Sequence, residues 1–89
     1  MFYVYLLKSM KDNKYYIGQT ENIDQRLYLH NAGKVKSTST RRPFEMIGFK
    51  EFATRNEARW TEYQLKHHSD KKYKFIRELE SKIKTTGIG

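Results

Sequence analysis

At 89 residues the chain has room for one compact domain with a small core, which excludes a second domain. Eighteen Lys and Arg against ten Asp and Glu leave a net charge of +8, which favours a polyanionic partner, nucleic acid ahead of an anionic membrane surface. Zero cysteines exclude disulfides, thiolate metal sites and a cysteine nucleophile together, and the only uninterrupted apolar run, MFYVYLL, is too short to span a bilayer, so a soluble, cytoplasmic protein is expected.

In chain order, FYVYLLK at residues 2–8 is β-branched and aromatic, SMKDNK supplies Asp12 and Asn13 as turn residues, and YYIGQT at 15–20 follows, which reads as an antiparallel hairpin. An even-numbered loop places Tyr3, Tyr5 and Leu7 on one face with Tyr16 and Gly18, and makes Tyr5 and Tyr16 neighbours. Two tyrosines and a glycine on a short strand are unusual, because a core strand favours valine or isoleucine, and a phenol there needs water, a partner or a reaction for its oxygen. A helix follows from the N-cap Asn22, with Ile23 and Leu27 four apart and Asn31-Ala32-Gly33 as its stop. KVKSTSTRRP, residues 34–43, mixes four cations with four hydroxyls and reads as a surface loop. FEMIGFKEF at 44–52 alternates as a third strand. Thr54 and Glu57 match a capping box opening a helix through Lys66, and Ser69 caps a last helix with Tyr73, Ile76, Leu79 or Glu80, and Ile83 on one stripe. Residues 85–89 are expected as a flexible tail beyond a single domain at 1–84.

Polar residues that fit poorly in a core carry the functional signal. Glu62 shares a helix face with Ala58 and Leu65, so a carboxylate stands on the stripe that docks on the sheet. A cationic partner such as Arg26 or Arg59, a raised pKa, or a divalent metal would each resolve it. Arg26 and His30 are one helical turn apart, a pairing able to hold a phosphate oxygen and to hydrogen-bond a reacting oxygen, or simply to face solvent. Lys34, Lys36, Arg41 and Arg42, with hydroxyls such as Thr38, could track a nucleic-acid backbone or merely solubilise the loop. Trp60, Tyr63 and His67 form a second stripe, expected to pack against the last helix rather than to stack on bases. His67-His68 has no chelating spacing, and Walker, GxSxG and HExxH patterns are missing.

With YVY at 3–5, YIG at 16–18, Arg26, His30 and Glu62, the chain resembles the GIY-YIG nuclease domain, most closely its small stand-alone bacterial members, from Phe2 to about Ile83. Tyr3 and Val4 stand where the family name has Gly and Ile, and Gln19 stands where some members carry a lysine. The resemblance implies an α/β fold, a small three-stranded and mostly antiparallel sheet flanked by three helices. It also implies a phosphodiesterase using one divalent cation, Mg²⁺ or Mn²⁺, held by Glu62. Tyr16 would act as base or water-orienting group and Tyr5 would steer the nucleophile. Arg26 would neutralise the scissile phosphate, and His30 would hydrogen-bond the attacking or departing oxygen. A phenol with its ordinary pKa of about 10 serves as a base near neutrality only beside positive charge, which ties Tyr16 to Arg26 and to a metal on Glu62. Gly18 would let substrate or the following helix approach the backbone. The expected activity is hydrolysis of DNA, with RNA also open as a partner, by single-strand nicking in repair or processing; the alternative is a nucleic-acid-binding module with little cleavage. A protein partner could supply specificity in either case.

Overall fold

The computed structural model describes residues 1–88, with side chains as far as residue 82. Strands β1 (Phe2–Ser9), β2 (Tyr15–Thr20) and β3 (Phe44–Phe52) form one antiparallel sheet in the order β2-β1-β3. Helices α1 (Ile23–Asn31), α2 (Arg55–His67) and α3 (Ser69–Ile88) complete the α/β fold read from the sequence. The stripe position Ile83 and the tail at 85–89 have side chains outside the described residues, and Gly89 lies outside them altogether.

β1 is the middle strand, and helices cover both of its faces. That is why its sequence is a continuous apolar run instead of an alternating one. Val4 and Leu6 join Ile17 and Ile47 in a core closed by Ala58 and Leu65 of α2 and by Phe75, Ile76 and Leu79 of α3. Tyr5 and Leu7 point the other way, into a smaller cluster with Tyr16, Phe44, Met46 and the α1 residues Ile23 and Leu27. Tyr5 stands opposite Gly18 and Leu7 opposite Tyr16, the facing expected for the hairpin. Asn13 takes the positive φ of 61° that the turn requires.

Local chemistry sets the helix ends. Asn22 caps α1 by accepting a hydrogen bond from the backbone N–H of Gln25, and Gly33, at a φ of +77°, turns the chain just past its end. At α2 both arms of the Thr54–Glu57 capping box are made. Such a box contributes about 1 kcal/mol, a useful share of the margin of a domain this small.

Two sequence expectations change. Residues 34–43 are not an open loop: Lys36–Arg41 form a 3-10 helix stitched to the hairpin by the bond from Ser9 Oγ to the Arg41 carbonyl and by the Arg41–Asp12 ion pair. Four hydroxyls in a row concealed the one, on Thr38, that turns fully inward. The stripe of Trp60, Tyr63 and His67 does not pack against α3 but stands in solvent, on the side of α2 away from Ala58 and Leu65. The small residue Ala58 and the single Leu65 suffice to seat α2 on the sheet.

Candidate active site

The smaller of the two clusters is built around one phenol. Tyr5 is only 1% exposed, and Gly18 opposite it makes room for its ring. A Cβ on Gly18 would run into the Tyr5 hydroxyl and approach Cζ to 2.6 Å. Gly18 is itself buried, which corrects its assignment as a place for nucleic acid to approach: the clearance serves Tyr5.

α1 delivers the groups that hold the phenol. Asn31 pins the end of this helix to β3, donating from Nδ2 to the Phe44 carbonyl at 3.1 Å and accepting from the Phe44 N–H at 2.6 Å. One helical turn apart on α1, Arg26 and His30 then reach Tyr5 together. Arg26 Nε donates to Tyr5 Oη at 3.3 Å, and His30 Nε2 lies 2.9 Å from the same oxygen. His30 is fully buried, its ring edge-on to Tyr5, Tyr16 and Phe44. The other ring nitrogen, Nδ1, is 2.7 Å from Thr38 Oγ1, whose hydroxyl donates onward to the Val35 carbonyl.

These contacts assign the tautomer. Tyr5 accepts from Arg26 and has His30 Nε2 within reach of its own proton, which leaves the ring proton on Nδ1 to be donated to Thr38 Oγ1. Neutral His30 therefore presents Nε2 as an acceptor, and the Tyr5 hydroxyl donates to it. Burial, with the Arg26 charge second, pushes the His30 pKa down to about 4, so the ring is neutral at physiological pH. Burial also raises Tyr5 to about 12, against the opposing hydrogen bond from Arg26. Arg26 is held more firmly in its charged form, first by the bond to Tyr5 and then by the proximity of Tyr16.

Both ring nitrogens of His30 are thus engaged inside the protein, one with Tyr5 and one with Thr38. Thr38 is corrected likewise: its hydroxyl is buried behind His30 and cannot reach a phosphate. Arg41 is committed to Asp12 at 3.0 Å and lies over the Phe44 ring, so it fastens the 3-10 helix instead of scanning for a backbone. Lys34, Lys36 and Arg42 are exposed, and the Arg42 guanidinium lies over Gly33.

Tyr16 is the accessible phenol. Only part of it is buried, and its ring centroid is 6.3 Å from that of Tyr5 and 5.1 Å from that of His30. Glu62 approaches from α2, on the opposite face of the sheet. Its carboxylate accepts from Gln19 Nε2 at 2.9 Å and pairs with Lys66 at 2.9 Å, and its side chain is 17% exposed. Lys66, not Arg26 or Arg59, is the cation that resolves the misplaced carboxylate. The Lys66 ammonium also lies over the Tyr16 ring, 5.5 Å from its centre, so it links Glu62 to the phenol around the β2 edge. Glu62 is near enough to Tyr5 for its charge to disfavour the phenolate there.

Among the described residues no group of three or more His, Asp or Glu side chains forms a ready-made metal cage. The donor set fits a hard cation that takes one carboxylate and fills its remaining positions with water and phosphate oxygens, the habit of Mg²⁺. Among the described residues no helix is long and apolar enough to cross a membrane.

Comparison with known proteins decides the family: the GIY-YIG catalytic domain matches residues 1–86. The chain belongs to the GIY-YIG family. A UPF0213 protein of Staphylococcus haemolyticus is 44% identical over 78 residues, covering 85% of this chain and 94% of that one. The UPF0213 protein YazA of Bacillus subtilis is 41% identical over 71 residues, covering 79% and 71%. The solution NMR structure of the UPF0213 protein BH0048 from Bacillus halodurans is similar in fold, with a TM-score of 0.53 at 36% identity, covering 90% of this chain and 86% of that one. GIY-YIG domains are nucleases that in general use divalent metal ions, which gives the Tyr5–His30–Arg26 cluster and Glu62 a common setting. Gln19, Thr38, Asn31 and Lys66 are the supporting residues that sequence reasoning left without these roles. Only Lys66 carried a visible signal, the (i, i+4) spacing from Glu62.

Proposed function

We propose that this GIY-YIG protein is a metal-dependent endonuclease that hydrolyses DNA one strand at a time, in repair or processing, with one Mg²⁺ or Mn²⁺ held by Glu62. The observation that carries the reading is the single cluster of Tyr5, Tyr16, Arg26 and His30, with Glu62 coupled to it through Lys66. The metal, when bound, supplies positive charge to the phosphate and its developing oxyanion.

Arg26 places its guanidinium beside both phenols, where negative charge accumulates as a phosphodiester is attacked. Tyr5 is committed, donating to His30 and accepting from Arg26, so it holds Arg26 in position and gives the site a rigid wall. Tyr16, the reachable phenol, acts as base or water-orienting group, and the proton of the attacking water passes on to solvent. The water oxygen bonds to phosphorus, the opposite P–O ester bond breaks, and the departing oxygen takes a proton from solvent, so each cut consumes one water.

Purified protein incubated with supercoiled, branched and single-stranded DNA, with Mg²⁺ or Mn²⁺, tests this. Nicking is expected, and Tyr16→Phe or Glu62→Ala should abolish it without loss of DNA binding. Cutting that survives Glu62→Ala, or persists in EDTA, would refute the site. A second reading, a nucleic-acid-binding module with little cleavage, is favoured by the occupation of Glu62 by Gln19 and Lys66. Binding by wild type and both variants, with cutting by none, would establish it.

A further inference from the structure

α2 carries an aromatic ladder that the nuclease site does not use. Trp60 and Tyr63 lie parallel, their ring centroids 5.7 Å apart and their planes 11° from coincidence, and His67 continues the row with its centroid 4.1 Å from that of Tyr63. Trp60 is 60% and Tyr63 53% exposed. A helix gains only about 0.2–0.5 kcal/mol from such a side-chain pair, a small return for keeping the two rings in water.

The ladder's surroundings identify what would cover it. At about 100° of rotation per residue, Arg55, Arg59 and Lys66 fall on α2 between Glu62 and the rings; Arg55 pairs loosely with Glu21 at 3.5 Å in an exposed contact and Lys66 with Glu62 at 2.9 Å, contacts that a phosphate would have to share. Passing round the helix from the carboxylate, one crosses a cationic strip and then arrives at flat aromatic faces. Asn56 and Arg59 line the same shallow depression as Trp60 and Tyr63. These neighbours are polar and cationic, unlike the apolar centre of a protein–protein interface. A second copy of the chain would bring two cationic strips together in a molecule of net charge +8.

We propose that the Trp60–Tyr63–His67 ladder is a stacking site for the bases of an unpaired nucleic-acid strand, whose backbone follows the Arg55–Arg59–Lys66 strip toward Glu62. The inference rests on the nucleic-acid reading above and adds to it a preference for substrates that carry unpaired nucleotides. Successive π-faces bind bases with little regard to sequence, while the strip matches the negative charge of the phosphates.

Trp60 is the only tryptophan, so the ladder reports on itself. The full chain is titrated with a labelled oligothymidylate of about 20 nucleotides, longer than the roughly 4–16 that one small domain covers, and with a duplex of equal length. Anisotropy reports binding, and Trp60 emission reports stacking. Quenching by the single strand is expected, together with a loss of single-strand affinity of about tenfold or more in Trp60→Ala/Tyr63→Ala and duplex affinity within about twofold of wild type. Both side chains are exposed, and a circular dichroism spectrum like that of wild type confirms that the variant is folded. Saturated single-strand binding with unchanged Trp60 emission, or an unchanged affinity in the variant, overturns the proposal. So does an equal loss toward both ligands, or a wild-type dimer in sedimentation that the variant abolishes. If the variant binds single strands normally while nicking still depends on Glu62, the ladder alone is refuted. If wild type binds neither ligand, the nuclease reading falls with it.

Discussion

Protonation of His30 is the perturbation that most directly probes the buried cluster. In the unfolded chain this ring takes a proton at about its ordinary pKa of 6.5, whereas in the folded protein burial and the Arg26 charge depress that value to about 4. The folded state thus binds fewer protons than the unfolded state across the interval between those values, and stability increases with pH there. The contribution is complete above pH 6.5 and is lost as pH falls through about 4. Between pH 7.5 and 4.5 the difference is about 2–3 kcal/mol. Urea unfolding at the two pH values should show it in wild type, and His30→Gln, which cannot titrate, should show only the remainder due to carboxylates such as Asp12. The ring itself can be followed by ¹⁵N NMR: Nδ1 should carry the proton, Nε2 should report as an acceptor, and titration should not begin until well below pH 6. A ring that titrates near 6.5, or that carries its proton on Nε2, would refute both the directed chain from Tyr5 to Val35 and the account of how Tyr5 is held.

Gly18→Ala should destabilise the fold by about 1–3 kcal/mol, because the added methyl meets a Tyr5 ring that has nowhere to move; unfolding within about 0.5 kcal/mol of wild type would show that the glycine does not serve that phenol. Lys66→Gln should change stability by less than about 1 kcal/mol, since Lys66 is itself nearly half exposed and Gln19 still donates to Glu62, yet raise the affinity for Mn²⁺ in calorimetry by removing the ammonium that occupies Glu62. Unaltered Mn²⁺ affinity would mean that Lys66 does not compete for the carboxylate. Replacing Lys34, Lys36 and Arg42 together with Ala should flatten the dependence of log affinity on log salt by up to about 0.9 per lost phosphate contact on duplex DNA. Adding Arg41→Ala should instead lower the unfolding midpoint, because Arg41 is tied to Asp12, whose carboxyl is held down at about 2, chiefly by the Lys14 backbone N–H.

Much of the fold was legible because local signals agree with one another. The N-cap at Asn22, the Thr54–Glu57 box, the turn residues Asp12 and Asn13, and the period-two facing of Tyr3, Tyr5 and Leu7 each depend on neighbours within a few positions, and each is present in the structure. Strand order was not legible from pattern, since either edge of β1 can accept β2. The route of residues 34–43 was hidden for another reason: a run of lysines and hydroxyls looks solvated on average. The burial of Thr38 is set by a partner eight residues earlier in a different element, across the end of α1 and the turn at Gly33, so no single helical or strand period runs from one to the other.

The aromatic stripe on α2 shows the same limit from the opposite side. Periodicity reports that Trp60, Tyr63 and His67 share a face, but the same spacing suits a ridge that packs against a neighbouring helix and one that waits for a ligand. Ala58 and Leu65 form a second, narrower stripe, and it is this one that the core takes. The choice between them rests on depth of seating: a small Ala58 lets α2 approach the sheet closely, and a ring as large as Trp60 in that place would hold it off. Glu62 was recognisable because a carboxylate on a docking face is conspicuous whatever resolves it. Its position beside the buried face, at the β2 edge, lets α2 dock tightly while its carboxylate is met by Gln19 and Lys66. The geometry that leaves the aromatic rings in solvent therefore also sets Glu62 at the β2 edge, and the two features stand or fall together with the seating of α2.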